Sequence, residues 1–242
     1  MKRIMCLILA LSVLCSLSSC KASVNKKPTG DTSQTESESS LGEMRLLYSA
    51  SDTFNPYTAG TEINRQLCLL LFDSLTRLDN NFETEYILAE SVAVEGAVCI
   101  VKLKNAYFTD GSPVTADDVV YSYNLAKNSV SEYAYNLYEV SSVSAQDSKT
   151  VIFNLSQYDR YFEKLIDFPV LKAQSDKNTD VDGRLLTPIG SGRYVVNEEG
   201  NGFVAKEKHI GKAVKTKKIS LVNAPDKEAI AHYVEIGATD IY

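Results

Sequence analysis

The sequence of 242 residues contains no tryptophan, only two histidines and no pair of cysteines in C-x-x-C spacing. Its five cysteines, at positions 6, 15, 20, 68 and 99, fit neither a zinc cage nor a disulfide-stapled mini-scaffold. A basic excess is missing too. The net charge is −6, whereas nucleic-acid binding calls for a positive face, so no nucleic acid is expected as a partner. No apolar run reaches the length of a stable membrane span, since residues 4–17 fall short of about 30 Å of hydrocarbon. What is present is ordinary globular material, 44% hydrophobic and 23% charged. That balance excludes disordered, collagen-like and polytopic membrane classes and leaves one large domain or two modest ones.

The N-terminus reads as an address. Lys2 and Arg3 precede the apolar run, which has the length of a signal-peptide core, so residues 1–19 are expected to be a signal peptide. The run ends in Leu17-Ser18-Ser19-Cys20. This resembles the lipobox of bacterial lipoproteins, which implies that the Cys20 thiol takes a diacylglyceryl group and that Cys20 becomes the new N-terminus. An ordinary secretory signal that happens to end in cysteine is the other reading. Residues 20–40 are rich in Ser, Thr, Lys and Glu and poor in apolar side chains, the composition of a flexible tether. Such a tether reaches roughly 25 Å, enough to hold a folded body just clear of a membrane. The expected location is extracytoplasmic, anchored to the bacterial cell membrane through lipidated Cys20.

The remainder alternates between strand and helix patterns. Residues 44–48 read as a strand, and the polar loop 49–60 carries an Asn55-Pro56 turn. Thr61 then caps a helix whose apolar positions Ile63, Leu67, Leu70 and Leu71 recur at helical spacing. Cys68, beside that stripe, reads as a small buried hydrophobe. In residues 99–104, Cys99, Val101 and Leu103 alternate with Lys102 and Lys104, a half-exposed strand. Asp110-Gly111 turns the chain, and Thr115 with Asp118 forms a capping box that opens a helix to about Lys127. The adjacent Asp117 and Asp118 point about 100° apart on a helix, so they read as first-turn acids rather than an acid–base pair. Hairpins are expected at 140–144 with 150–155 and at 192–197 with 203–207, and a short amphipathic helix at 159–166. Strand 219–222, a helix from Pro225, a stop at Gly237 and strand 239–241 imply a parallel crossover. The fold class is α/β, mixed α+β.

Four stretches in order carry a family likeness. They are Phe72-Asp73-Ser74-Leu75-Thr76-Arg77-Leu78-Asp79, Leu88-Ala89-Glu90-Ser91, the D-G-x-P-x-T-A-x-D-V-V-Y-S-like residues 108–122, and Gly190-Ser191-Gly192-Arg193-Tyr194-Val195 leading into Gly237-Ala238-Thr239-Asp240-Ile241. The chain resembles the first half of the family 5 extracellular solute-binding proteins, the oligopeptide, dipeptide and nickel receptors of ABC importers. The resemblance implies a type II periplasmic-binding-protein-like first lobe from residues 41–74 and 187–242, with an α+β subdomain at 75–186 inserted. It also implies a second lobe that this chain lacks, so the chain reads as truncated. The implied function is capture of an oligopeptide or similar small solute between two lobes for delivery to the permease subunits of an importer. No catalytic residue, cofactor or metal is implied.

By position in that family, Tyr57, Gly60 and Glu62 line the cleft and Tyr133 reaches the ligand, unless Tyr133 simply packs the subdomain. Ser191 and Gly192 sit at a turn whose lack of side chains lets a ligand or the other lobe approach, or which merely enters the next strand. The family's Asn-Pro-x-Tyr-Trp stretch is here Lys208-His209-Ile210-Gly211, a departure from the usual ligand set. An enzyme has little to work with: Ser191 is not in a G-x-S-x-G turn, and His209 and His232 read as surface or helix-face histidines. Hinge closure buries a ligand between two surfaces, so one lobe alone is expected to bind weakly or not at all. The competing reading is a truncated, non-binding surface lipoprotein with a structural or interaction role or with no function.

Overall fold

The computed structural model describes residues 42–240; the signal, lipobox and tether expectations, and the end of the strand expected at 239–241, lie outside the described residues. In chain order the elements are β1 (Glu43–Tyr48), α1 (Glu62–Leu71), β2 (Thr76–Leu78), β3 (Thr84–Tyr86), β4 (Ala89–Glu95), β5 (Val98–Leu103), α2 (Ala116–Lys127), α3 (Glu132–Asn136), β6 (Val140–Asp147) and β7 (Thr150–Leu155). β8 (Tyr194–Val196), β9 (Gly202–Ala205), β10 (Lys218–Asn223) and α4 (Lys227–Glu235) follow. Two four-stranded sheets result. One runs β1-β10-β9-β8, with β1 and β10 parallel and the rest antiparallel; the other is the antiparallel β4-β5-β7-β6.

The second sheet follows from period-2 patterning. Cys99, Val101 and Leu103 of β5 are buried, and in the register Cys99 stands opposite Phe153 and Val101 opposite Val151. α2 covers this face. Its Tyr123 ring meets Phe153 edge-on at 6.0 Å and Phe168 at 6.4 Å. The α2 capping box is reciprocal: Asp118 Oδ2 accepts from the Thr115 amide at 2.9 Å and hydroxyl at 2.6 Å, and the Asp118 amide donates back to Thr115 Oγ1. Asp118 Oδ1 also accepts from the Ala173 amide at 2.8 Å, tying a distant loop to the helix start. Asp118 is therefore structural.

α1 packs on the first sheet, against β1 and β8. Its buried face is Asn64, Leu67, Cys68 and Leu71, so Cys68 lies within the stripe while Ile63 and Leu70 are half-exposed. The face is rotated because Asn64 points inward. Its amide oxygen accepts from the Ser49 amide at 2.9 Å and its nitrogen donates to the Ser49 and Thr53 carbonyls, holding the loop after β1. A buried polar side chain is tolerated where every polar atom is paired.

Two expectations need correction. The helix expected over 159–166 is only a 3₁₀ turn, Phe162–Lys164. Pro169 forces Phe168 toward extended backbone, and the chain must straighten to form the bridge between Ser74 and Pro169. At the C-terminus, Thr239 and Asp240 are not in a strand. Asp240 nevertheless lies against β1 on the side away from β10: its amide donates to the Arg45 carbonyl, and its carboxylate takes the Arg45 amide at 2.7 Å and guanidinium at 2.8 Å. The chain therefore does cross over from β10 through α4 to the far edge of β1.

Candidate functional site

The residues singled out from the sequence divide between the two ends of α1. Ten helical residues rise about 15 Å, so the ends are distinct places. Tyr57, Gly60 and Glu62 stand at the N-terminal end, whereas Ser191 and Gly192 pack at the C-terminal end.

At the N-terminal end Asp52 organises the loop. Its carboxylate accepts from the amides of Thr53, Gly60 and Thr61 and from the Thr61 hydroxyl, at 2.5–3.0 Å. Burial opposes its ionisation, but the Thr61 hydroxyl and the Gly60, Thr61 and Thr53 amides together outweigh burial and hold its pKa below the usual value. This loop buries Tyr57, whose hydroxyl donates a short hydrogen bond to the Pro169 carbonyl. The Tyr57 ring meets Tyr133 of α3 edge-on, 6.3 Å between centroids. Burial pushes both phenols up, with the Asp167 and Glu132 charges adding to the effect on Tyr133. Tyr135 on α3 and Tyr138 just after it are 85% and 77% exposed. Gly60 is exposed. Glu62 is exposed and already engaged, by Arg65 at 2.6 Å and Gln66 at 2.6 Å.

Asp167, beneath this face, escapes the sequence reading. Its Oδ1 is buried with no hydrogen-bond partner, while the Asn136 side chain and its own backbone amide serve the rest of the carboxylate. Burial raises its pKa, and Glu132 adds to the rise. The native state thus holds this proton more tightly than the unfolded chain does. Stability is expected to fall as pH rises from about 4, the ordinary aspartate value, through the raised native one. Asp167→Asn should remove that slope, measured by urea unfolding between about pH 4 and about pH 7; an unchanged slope contradicts the burial.

At the C-terminal end of α1 the geometry is that of a tight joint. A Cβ on Gly190 would lie 2.1 Å from the Leu71 carbonyl oxygen, and one on Gly192 would lie 2.4 Å from the Leu71 carbonyl carbon. The close approach that glycine permits here is to the α1 backbone. Ser191 is buried and donates to Asp73 Oδ2 at 3.2 Å, and His209 Nε2 meets the same oxygen at 2.9 Å. His209 is not a surface histidine. Its side chain is 7% exposed, and its Nδ1 accepts from the Gly211 amide, which leaves Nε2–H to donate to Asp73. Aspartate stands between serine and histidine, so Ser191 lacks the histidine neighbour of a Ser-His-Asp relay. Lys206 donates to the Tyr107 and Ser191 carbonyls, and burial lowers its pKa against the pull of Asp73 and Asp110. These residues border a cleft of about 640 Å³. His232 is exposed on α4.

Cys68 and Cys99 are both buried and free, on α1 and β5, and burial pushes each thiol up to about 12. They pack as apolar groups. Among the described residues no group of three or more His, Cys, Asp or Glu could hold a metal.

A mixed sheet with a helical crossover, carrying an α+β region inserted between its strands, is the architecture of one lobe of a periplasmic-type binding protein. The family model for bacterial extracellular solute-binding proteins, family 5, middle region, matches residues 83–242. The chain belongs to that family. The oligopeptide-binding protein AppA of Bacillus subtilis is 32% identical over 181 residues, covering 67% of this chain and 32% of AppA. A binding protein of Brucella melitensis is 33% identical over 126 residues, covering 49% of this chain and 20% of that protein. The chain thus spans a minor part of the curated relatives it matches. Among solved structures, AppA in complex with a nonapeptide superposes with a TM-score of 0.63 at 21% identity, over 82% of this chain and 43% of that one. NikZ of Campylobacter jejuni in complex with Ni(L-His) gives 0.63 at 22%, over 83% and 42%. AgaA of Agrobacterium tumefaciens in complex with agropinic acid gives 0.67 at 19%, over 82% and 43%. At these identities the superpositions establish the fold.

Proposed function

We propose that the chain is the substrate-binding part of an ABC importer, taking up a peptide or related small solute outside the cytoplasm and passing it to membrane permease subunits. The observation that carries the reading is the aromatic pair beside α1, where Tyr133 stands edge-on against buried Tyr57. Aromatic side chains offer large, rigid contact area at low conformational cost. Membership of the family supports it, as does the likeness to AppA, whose structure holds a nonapeptide. Residues 41–74 and 187–242 act as one lobe and 75–186 as its inserted subdomain. This lobe supplies one wall of the cleft, Tyr57, Gly60, Glu62 and Tyr133 included. Gly192 packs on the backbone at the other end of α1, and Ser191 beside it borders the cleft there.

Tyr133→Ala should weaken peptide binding by about tenfold, as loss of one aromatic contact does. Isothermal titration calorimetry against a tripeptide checks this, and unaltered affinity removes Tyr133 from the site. We further propose that lipidated Cys20 holds the protein at the membrane. Cys20→Ala should move it from the membrane to the soluble fraction on ultracentrifugation; retention at the membrane sinks the anchor.

A further inference from the structure

The cleft of about 640 Å³ beside Asp73 and Ser191 is lined by none of Tyr57, Gly60, Glu62 or Tyr133, and solute capture as proposed above makes no use of it. Its walls come from two separate segments. Ala106, Tyr107 and Phe108 lie between β5 and α2, and Lys206, His209 and Ile210 between β9 and β10. Hydrogen bonds hold the segments in place. Lys206 Nζ donates to the Tyr107 carbonyl at 3.1 Å and the Ser191 carbonyl at 3.3 Å, and the Thr109 amide donates to the Gly190 carbonyl at 2.9 Å. Lys206 is the half-buried cation of this cleft, and among the described residues it makes no ion pair. The nearby acids are committed elsewhere, Asp110 to Lys172 at 2.5 Å and Asp73 to Ser191 and His209. An ammonium carries three N–H donors and two are taken, so one is left over. A cation partly withdrawn from water is costly without a counter-charge.

We propose that this cleft is a second binding site, for a small organic carboxylate whose charged end takes the spare N–H of Lys206 and whose apolar body lies against Ala106, Phe108 and Ile210. Ala106 and Phe108 are buried, Tyr107 keeps 58% of its surface exposed and Ile210 38%, so the lining is largely apolar around one available cation. That combination suits an apolar body with a single negative charge. A phosphate group, with heavier charge and three acceptor oxygens, calls for more donors than one free N–H. A cationic ligand is disfavoured because Asp73, the acid at the floor, already accepts two hydrogen bonds. Glu207 and Lys208, both exposed at the rim, offset each other in charge and leave Lys206 to set the sign. A ligand seated here touches the segment before α2 and the segment after β9 together, and so ties one to the other.

The test is an NMR titration of the isotope-labelled full chain with three probes: benzoate, benzamide, which has the ring without the charge, and acetate, which has the charge without the ring. Benzoate is expected to shift the amides of residues 106–111 and 206–211 to saturation, about tenfold more tightly than benzamide, the worth of a hydrogen bond to a charged group. Acetate should bind more weakly than benzoate for want of an apolar body. Lys206→Gln and Lys206→Met should bring benzoate down to the affinity of benzamide while melting cooperatively. Where both variants fail to fold, the ¹³Cε shift of the wild-type Lys206 decides, moving with benzoate and not with benzamide. No binding of benzoate, shifts that never saturate, or equal affinity for benzoate and either control overturns the proposal. So does a preference that survives in a folded variant, or an unmoved Lys206. Each of these results leaves peptide capture standing, because that reading rests on Tyr57 and Tyr133 and not on this cleft.

Discussion

Gly190→Ala is expected to lower the unfolding free energy by about 3 kcal/mol, the upper range for overpacking against groups that cannot yield. The added methyl would meet the Leu71 carbonyl oxygen at 2.1 Å and the Phe72 ring at 2.7 Å. Neither can retreat cheaply. The Leu71 oxygen accepts the Gly192 amide at 2.9 Å, Phe72 is buried, and the Gly190 carbonyl itself accepts from the Thr109 amide. Moving any of them breaks a backbone hydrogen bond or opens the core. Gly42→Ala serves as the control, since nothing lies within 4 Å of its added methyl. Urea unfolding should separate the two variants clearly; indistinguishable midpoints would mean that α1 does not pack on this turn.

The second large effect is at Asp73. Its Oδ2 takes both Ser191 Oγ and His209 Nε2 in a nearly water-free setting, the side chains of Asp73 and His209 being 11% and 7% exposed. Asp73→Ala leaves two buried donors unpartnered and should cost about 3 kcal/mol, whereas Asp73→Asn keeps an acceptor oxygen and should cost about 1 kcal/mol. Because the Asp73 side chain turns to Ser191 and His209 and not to Tyr57 or Tyr133, Asp73→Asn should leave peptide affinity unaltered. Unfolding curves and titrations on the same samples check both statements. Equal stability loss in the two variants would show that the acceptor oxygen is not what matters there.

Much of the scaffold is legible in the chain because each element carries its own local code. The alternation of Cys99, Val101 and Leu103, the reciprocal Thr115–Asp118 box and the cap at Thr61 each specify structure within a few residues, and each stands as read. What escaped is set by partners far away in sequence. Asn64 sits on a core face only because the loop after β1 needs its amide. His209 is buried because Asp73 lies 136 residues earlier, a pairing no spacing rule contains. Gly190 and Gly192 invited a ligand-approach reading, since a glycine in sequence says that something comes close but not what. Asp167 had one signal, an isolated acid in the apolar run Leu165-Ile166-Asp167-Phe168-Pro169-Val170. A lone charge in such a run is worth pursuing, because burial makes it costly unless it is used.

The account's central claim is that this chain offers a solute-binding face, and thermal unfolding with a mixture of tri- to pentapeptides tests it most directly. Only a ligand that binds the native state raises the midpoint, by an amount that grows with its concentration. The account predicts a cooperative transition that climbs only at high peptide concentration in the wild type, as a single wall of the cleft allows, and climbs less in Tyr133→Ala. A transition that stays where it was at every peptide concentration would contradict it.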